Sequence, residues 1–130
     1  TLWAIVTDDA NRDVHKLYAS TDLGASWDEM DSGVLRTDAG TLLAPDAIMD
    51  FERGADHIDL SMMDANTVTA YRQAFAGEVV DAFSGVAGQL RVSATEGGVI
   101  VAGDLNGDKL ADFAIKVMGV DALTADDFLF

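Results

Sequence analysis

Several residue types are scarce in this chain, and each scarcity argues against a class of function. The 130 residues contain no cysteine, which excludes disulfide bonds and thiolate metal sites. The only histidines are His15 and His57, and neither belongs to an H-E-x-x-H zinc motif. No G-x-S-x-G nucleophile turn or phosphate-binding loop occurs. Because carboxylates are so abundant, a pair that resembles the two catalytic carboxylates of a glycosidase is weak evidence for catalysis. The sequence therefore predicts a protein that is not an enzyme.

Positive charge is also scarce. The chain has 23 acidic and 8 basic residues, and its formal net charge is −15. A surface of that sign repels phosphate backbones and anionic membranes, which argues against both as partners. It attracts divalent cations and basic proteins. Solubility, or adaptation to a salty environment, is the alternative explanation of the charge.

Long apolar segments are missing as well. No run approaches the roughly 20 apolar residues that span a bilayer, so membrane insertion is not expected. The sequence starts directly in Thr1-Leu2-Trp3, without a visible secretory signal peptide. Two readings are open at this point: a cytoplasmic protein, or one exported by a signal located elsewhere. A secreted protein without cysteine needs another source of stability, and calcium bound only by the folded state provides one.

Short apolar runs separated by Gly, Asp and Asn are what the chain does have, and this pattern is typical of strands and turns. We predict a mostly β fold: an antiparallel β-sandwich or β-roll-like domain with one short helix and calcium-binding loops. Residues 1–33 are predicted to form a three-stranded meander and residues 34–130 a second domain. A hairpin turn is predicted at Glu96-Gly97-Gly98. The helix is predicted over 64–76, because apolar residues follow Asp64 at helical spacings.

An acidic loop gives the sharpest local signal. It is a nine-residue segment with oxygen-bearing side chains at positions 1, 3, 5 and 9, namely Asp104, Asn106, Asp108 and Asp112, while Leu110 at position 7 offers a backbone carbonyl. Calcium prefers six to eight oxygen ligands, and Gly107 permits the chain to curl around one ion. The alternative is an Asp/Asn-rich turn whose side chains cap their own backbone. Crowded carboxylates repel one another without a cation, so we predict calcium here.

Two further acidic sets occur earlier in the chain. The first comprises Asp46, Asp50, Asp56 and Asp59, for which a calcium site and a solvated strand face with a turn are both open from spacing alone. The second comprises Asp8, Asp9, Asn11 and Asp13, which we interpret as an ordinary loop.

Four ordered motifs carry a resemblance to a known family. Residues 46–66 (DAIMDFERGADHIDLSMMDAN) are similar to D-x-I-x-D-F-x-x-G-x-D-x-I-D-L-S followed by D-A-N. Residues 83–90 are similar to F-x-G-x-A-G-x-L, residues 104–115 to D-x-N-G-D-x-x-A-D-F-x-I, and residues 123–130 to L-x-x-x-D-F-I-L. The segment 46–130 thus resembles the serralysin-type C-terminal domain of RTX proteins exported by the bacterial type I route. The glycine–aspartate nonapeptide repeats that usually precede this domain are absent from the sequence.

The resemblance implies a β-rich, calcium-binding unit that follows a catalytic or effector region and carries the uncleaved C-terminal signal read by an ABC-type exporter. It implies an extracellular location, with folding delayed until calcium is met outside the cell. The implied calcium ligands are Asp46, Asp50, Asp56, Asp59, Asp104, Asn106, Asp108 and Asp112. The implied secretion signal is Asp127, Phe128, Leu129 and Phe130. Its removal is expected to block export and to leave folding intact.

A second resemblance lies upstream. The residues Ser20, Asp22, Gly24, Ser26 and Trp27 fit S-x-D-x-G-x-[ST]-W, the Asp-box (BNR repeat) of sialidase-like propellers. The resemblance implies a structural role, in which Asp and Ser hold a hairpin turn and Trp packs beneath it. One such box implies either a remnant blade or a hairpin that extends the main sheet.

Two other functions stay open at this stage. One is an extracellular module that binds a carbohydrate or protein surface through Trp3, Tyr18 and Trp27, although tryptophans also serve as core anchors. The other is a structural domain that needs no metal.

Overall fold

The computed structural model describes residues 1–7, 15–22, 24–29, 37–38, 41–42 and 46–130. The strands in these residues are, in chain order, β1 (Leu2–Thr7), β2 (His15–Ser20), β3 (Asp28–Glu29), β4 (Thr37–Asp38), β5 (Thr41–Leu42), β6 (Asp46–Ile48), β7 (His57–Asp59), β8 (Val79–Val80), β9 (Gln89–Thr95), β10 (Gly98–Asp104), β11 (Phe113–Met118) and β12 (Phe128–Leu129). A 3₁₀ helix covers Ala125–Asp127. The mostly β prediction is confirmed.

The strands form two five-stranded sheets and a small β4–β5 pair. The first sheet has the order β12-β7-β1-β2-β3 and the second the order β6-β11-β10-β9-β8. The antiparallel pairs come from strands that are close in sequence, such as β1 with β2 and β9 with β10. Strands from distant segments join in parallel, as β7 does with β1 and β6 with β11. Both sheets are therefore mixed.

The start of the chain and its end share the first sheet. Strands β1, β2 and β3 form the predicted meander, with Trp3 opposite Ala19. Strand β7 then pairs with β1, placing Ile58 beside Trp3, and β12 pairs with β7, placing Phe128 beside Ile58. The division into two domains at residue 33 stays a prediction. Strands from both of the predicted segments lie side by side in the first sheet.

The core is one cluster that draws on both sheets. Trp3, Ile58 and Phe128 from the first sheet belong to it, together with Val101 and Ile115 from the second, and all five are buried. Alternation along each strand explains this, because every second side chain points to the same face. In β1 the alternating Trp3 and Ile5 join the cluster. The two sheets thus enclose a shared apolar interior, as a sandwich requires.

The helix predicted over 64–76 is wrong. The segment follows turns and irregular backbone, and the 3₁₀ turn is the helical element in the described residues. The buried Asp64 carboxylate accepts hydrogen bonds from the backbone N–H groups of Asn66 and Gln73, both at 3.1 Å. Asp and Asn side chains that bind nearby backbone in this way compete with helical hydrogen bonds. Tyr71, with φ of 69°, lies outside the right-handed helical region altogether.

The loop with Asp8, Asp9, Asn11 and Asp13 lies outside the described residues. In the part of the chain that the structure does describe, none of the helices has the length and apolar character needed to cross a membrane.

Candidate calcium-binding loop

The acidic loop joins two central strands of the second sheet. Its first acidic residue, Asp104, is the last residue of β10, and Asp112 directly precedes β11. Below the loop, Gly103 pairs with Phe113, and the backbone N–H of Asp112 donates to the Gly103 carbonyl at 2.8 Å. Leu105 enters the loop buried in the core. The ends of the loop are therefore fixed by the sheet and by apolar packing.

Asp104 organises the first half of the loop. Its side chain is fully buried. One oxygen, Oδ1, accepts from the backbone N–H groups of Asn106 at 3.2 Å and Gly107 at 2.6 Å. The other, Oδ2, accepts from the Lys109 N–H at 2.9 Å. Gly107 has φ of 80° and Lys109 of 70°, so the chain curls around this carboxylate. Such contacts offset the cost of removing a carboxylate from water.

The other three polar side chains continue the pattern. Asp112 accepts from the Leu105 backbone N–H at 2.6 Å and from the Asn106 side-chain amide at 3.1 Å. Asn106 accepts from the Asp108 N–H at 2.9 Å, and Asp108 from the Leu110 N–H at 2.8 Å. Each polar residue thus caps backbone two or more positions away, which is the turn geometry weighed above as the alternative to calcium.

Electrostatic repulsion persists in this loop. Burial raises the pKa of Asp112 above 3.8, and the negative charges of Asp108 and Asp104 add to the increase. The hydrogen bond from Leu105 opposes it only in part. The folded loop therefore disfavours the charged form of Asp112, and a bound cation would reverse that preference.

A second glycine motif supports the loop from the side. The Gly88 N–H donates to the Asp104 carbonyl at 2.7 Å. A side chain at Gly107 would come within 3.0 Å of the Gly85 carbonyl oxygen, so the two segments meet backbone to backbone. The glycines at 85 and 88 belong to the F-x-G-x-A-G-x-L stretch, and this packing gives that stretch a role in holding the acidic loop.

The donor set suits calcium in its chemistry. Three carboxylates, one amide oxygen and nearby backbone carbonyls are hard oxygen ligands. A carboxylate has about four lone-pair sites, so a hydrogen bond to backbone leaves acceptor capacity unused. In the described residues, however, no three Asp, Glu or His side chains converge closely enough to form a ready-made cage. The loop is thus an acidic turn whose side chains accept hydrogen bonds from its own backbone. Its oxygen atoms are of the type that calcium binds. Calcium binding by it stays a prediction.

The earlier acidic set is spread over both sheets. Asp46 begins β6 in the second sheet, and Asp59 ends β7 in the first. Asp50 is exposed. Asp56 is buried, accepts from the Glu52 backbone N–H at 2.9 Å and contacts the Thr1 amino group. This arrangement gives Asp56 a structural role between β6 and β7, while its predicted calcium role is untested.

The predicted secretion signal is part of the folded sheet. Phe128 is 4% exposed and contributes to the core, and Leu129 accepts a hydrogen bond at its carbonyl from the Leu60 N–H at 2.8 Å. Asp127 is buried, caps the Thr124 N–H at 2.8 Å and pairs with the Arg53 guanidinium at 3.1 Å. The expectation that removing the last four residues leaves folding intact is untested, and these contacts predict instead that the truncation destabilises the domain.

The turn after β2 is held by one carboxylate. Asp22 accepts from the Ser20 hydroxyl at 2.7 Å and from the Ser26 backbone N–H at 2.8 Å, while its second oxygen accepts from the Ser26 hydroxyl at 2.6 Å. The Ser26 hydroxyl and amide, followed by the Ser20 hydroxyl, lower the pKa of Asp22 from 3.8 to about 2. Gly24 supplies the φ of 89° at which its N–H reaches the Ser20 oxygen at 2.8 Å.

Two features of the first sheet and its surroundings, namely the partner of Asp127 and the burial of Trp3, were not evident from the sequence. Arg53, the partner of Asp127, lies 74 positions away, and no local pattern connects them. Trp3 is 5% exposed, so it is a core residue and cannot serve in the partner surface considered above. Tyr18 and Trp27 do reach the surface.

Comparison with known proteins shows the family to which the chain belongs. Residues 33–130 match the family described as Peptidase M10 serralysin C terminal. The chain therefore belongs to the serralysin C-terminal family, which is named for a terminal domain rather than for a catalytic one.

A curated relative is the metalloprotease AprA of Pseudomonas entomophila, which is 38% identical over 86 residues. The match covers 65% of this chain and 17% of AprA, so the chain corresponds to a small part of that protein.

Proposed function

We propose that this chain is the non-catalytic, calcium-binding C-terminal module of an extracellular bacterial protein, and that it supports type I secretion and calcium-triggered folding. Membership of the serralysin C-terminal family supports the module. The observation that carries calcium is the loop from Asp104 to Asp112, where burial, with the negative charges of Asp108 and Asp104 added, raises the pKa of Asp112.

In this proposal Asp104, Asn106, Asp108 and Asp112 hold the ion, with Leu110 offering its carbonyl. The hydrogen bonds described for the Asp104 carboxylate come from backbone N–H groups, which carry no net charge. The ion would add a positive charge beside it. Because binding favours only the folded state, free calcium would stabilise the domain by mass action. Low calcium inside the cell would leave the chain unfolded for export, and higher calcium outside would favour folding.

A calorimetric titration tests the site. The variant Asp108→Asn keeps the acceptor for the Leu110 N–H and removes one charge. We expect its calcium affinity to fall by about tenfold or more, because affinity follows the charge of the ligands. The control is Asp81→Asn, which removes the same charge from an exposed residue outside the loop and should leave affinity unchanged.

Circular dichroism with calcium and with EDTA tests the coupling to folding. The proposal predicts a higher melting temperature in calcium for the wild type and a reduced gain for Asp108→Asn. Identical melting curves in calcium and EDTA, together with no heat of binding, would contradict it and leave a metal-free structural domain.

The role of the last four residues in secretion is part of the proposal. Since Phe128 and Asp127 are buried in the folded domain, an exporter would have to engage this segment before the domain folds. Leu129 offers a way to separate signalling from folding, because its side chain is 42% exposed. The variant Leu129→Asp should reduce secretion through an ABC-type exporter while leaving the melting temperature nearly unchanged. Val68→Asp, also on an exposed aliphatic residue, is the control. Normal secretion of Leu129→Asp would count against the signal.

We also propose that the turn with Ser20, Asp22, Gly24, Ser26 and Trp27 is an Asp-box in which the hairpin extends the main sheet. Its hydrogen bonds and the pairing of β1 with β7 support this. Its function would be to stabilise the edge of the module.

A further inference from the structure

An open groove of about 430 Å³ lies on the face of the first sheet that points away from the core. Its lining comprises Ala4, Tyr18, Trp27, Asp59, Ser61 and Met62. The volume is within the range of small-molecule sites. The groove belongs to the first sheet, whereas the acidic loop joins two strands of the second sheet.

The strand register explains why a groove forms. Ala4 in the central strand β1 pairs with Tyr18 on one side and with Asp59 on the other. Residues directly opposite one another in paired strands point to the same face. The short Ala4 side chain therefore forms the floor between two larger neighbours. Trp27 comes from the turn after β2, and Met62 follows β7.

We propose that this groove binds an alkylated ammonium cation. The rings of Trp and Tyr attract cations through their electron-rich faces, and quaternary ammonium groups are the ligands that aromatic sites of this kind take. Met62 and Ala4 offer apolar contact for N-methyl groups. Asp59 adds a negative charge, and the chain as a whole carries −15, which favours a cation over a neutral or anionic ligand.

Two of the groups are held in place by the fold. The Asp59 carboxylate accepts from the Ser61 backbone N–H at 2.8 Å, which fixes its orientation at the end of β7. The Trp27 ring packs against Gly24, where an added side chain would lie 3.5 Å from the indole Cζ2. Trp27 is nevertheless 37% exposed, so part of its ring is available to a ligand. A preformed site loses less entropy on binding.

One cation already approaches the groove. The exposed Arg72 guanidinium lies 3.6 Å from the Met62 sulfur. Its positive charge repels a second cation nearby. Removal of this charge should therefore strengthen cation binding, whereas removal of the Asp59 charge should weaken it. The variant Arg72→Gln should strengthen the binding of a cation, while a neutral ligand should be indifferent to the charge.

Choline is the probe, and 3,3-dimethylbutan-1-ol is its uncharged counterpart of the same shape. Both are titrated into the whole 130-residue chain in calcium-containing buffer, with NMR detection of the Trp27 indole and the Met62 methyl group. We expect choline to shift both signals and to bind about three- to tenfold more tightly than the alcohol, which is the range of a partly exposed cation–π contact.

Three variants then report the charge dependence. Asp59→Asn should weaken choline binding about threefold, and Arg72→Gln should strengthen it by a similar factor, because each removes one solvent-accessible charge near the ligand. Asp81→Asn, outside the groove, should have no effect. Melting curves of all three check that the fold is kept.

The proposal is overturned if choline and the alcohol bind equally, if neutral oligosaccharides shift the Trp27 and Met62 signals and choline does not, or if Arg72→Gln leaves choline affinity unchanged. Sedimentation with phosphatidylcholine vesicles identifies the source of the cation. Co-sedimentation with the vesicles assigns a lipid headgroup, and binding of free choline alone assigns a soluble cation.

Discussion

The contribution of the C-terminal strand to stability can be tested at Phe128. This side chain is 4% exposed and belongs to the core cluster, and its backbone pairs with Ile58 in β7. Truncating a buried phenylalanine to alanine costs about 3–5 kcal/mol through lost burial and the cavity left behind. Strand β12 is at the edge of its sheet, where neighbours can close part of the cavity, so we expect the lower end, about 3 kcal/mol.

The measurement is equilibrium unfolding in urea at fixed calcium, with fluorescence and circular dichroism as two probes. Leu129→Ala is the matched control, since the adjacent side chain is 42% exposed and should cost less than about 1 kcal/mol. Equal, small losses for the two variants would refute the argument, because they would mean that the end of the chain contributes little to the folded core.

Two further predictions follow from local geometry. Asp22 has a pKa lowered to about 2, so its contribution to stability is complete above pH 3.8 and is lost as the pH falls through 2. The variant Asp22→Asn should abolish that part of the acid dependence, and an NMR titration that places the Asp22 pKa near 3.8 would contradict this. Gly103→Ala would drive its methyl group into the buried Phe113 ring and should destabilise by about 3 kcal/mol. Gly54→Ala, with open space around it, should cost only about 1 kcal/mol for its positive φ, and a similar loss at both glycines in thermal melts would disprove the clash.

The second sheet was the part of the fold most accessible from sequence. Alternating apolar residues flank Glu96-Gly97, and the hairpin of β9 and β10 forms there, with Gly97 at φ of 79°. Strand β11 likewise covers a run in which the apolar residues Phe113, Ile115 and Val117 alternate with Ala114 and Lys116. These elements depend on near neighbours, so local pattern and turn chemistry are sufficient to define them.

The segment 64–76 shows why local reasoning failed elsewhere. Its apolar spacing is compatible with a helix, but Asp64 uses its buried carboxylate to hold Gln73, and Phe75 reaches the core in contact with the Phe113 ring at 6.4 Å between centroids. Helical propensity is a weak preference of less than about 1 kcal/mol per residue. The Asp64 hydrogen bond and the burial of Phe75 are tertiary contacts that readily override this preference.

By itself, the sequence determined the β character of this protein, its acidic loop and its family, because these depend on composition, alternation and ordered motifs. The tertiary structure decided that the end of the chain closes the first sheet, that Arg53 meets Asp127, and that Ala4 lies between Tyr18 and Asp59. Such contacts join residues that are far apart in the chain. Their free energy appears only when the backbone has brought them together, so no local pattern in the sequence records them.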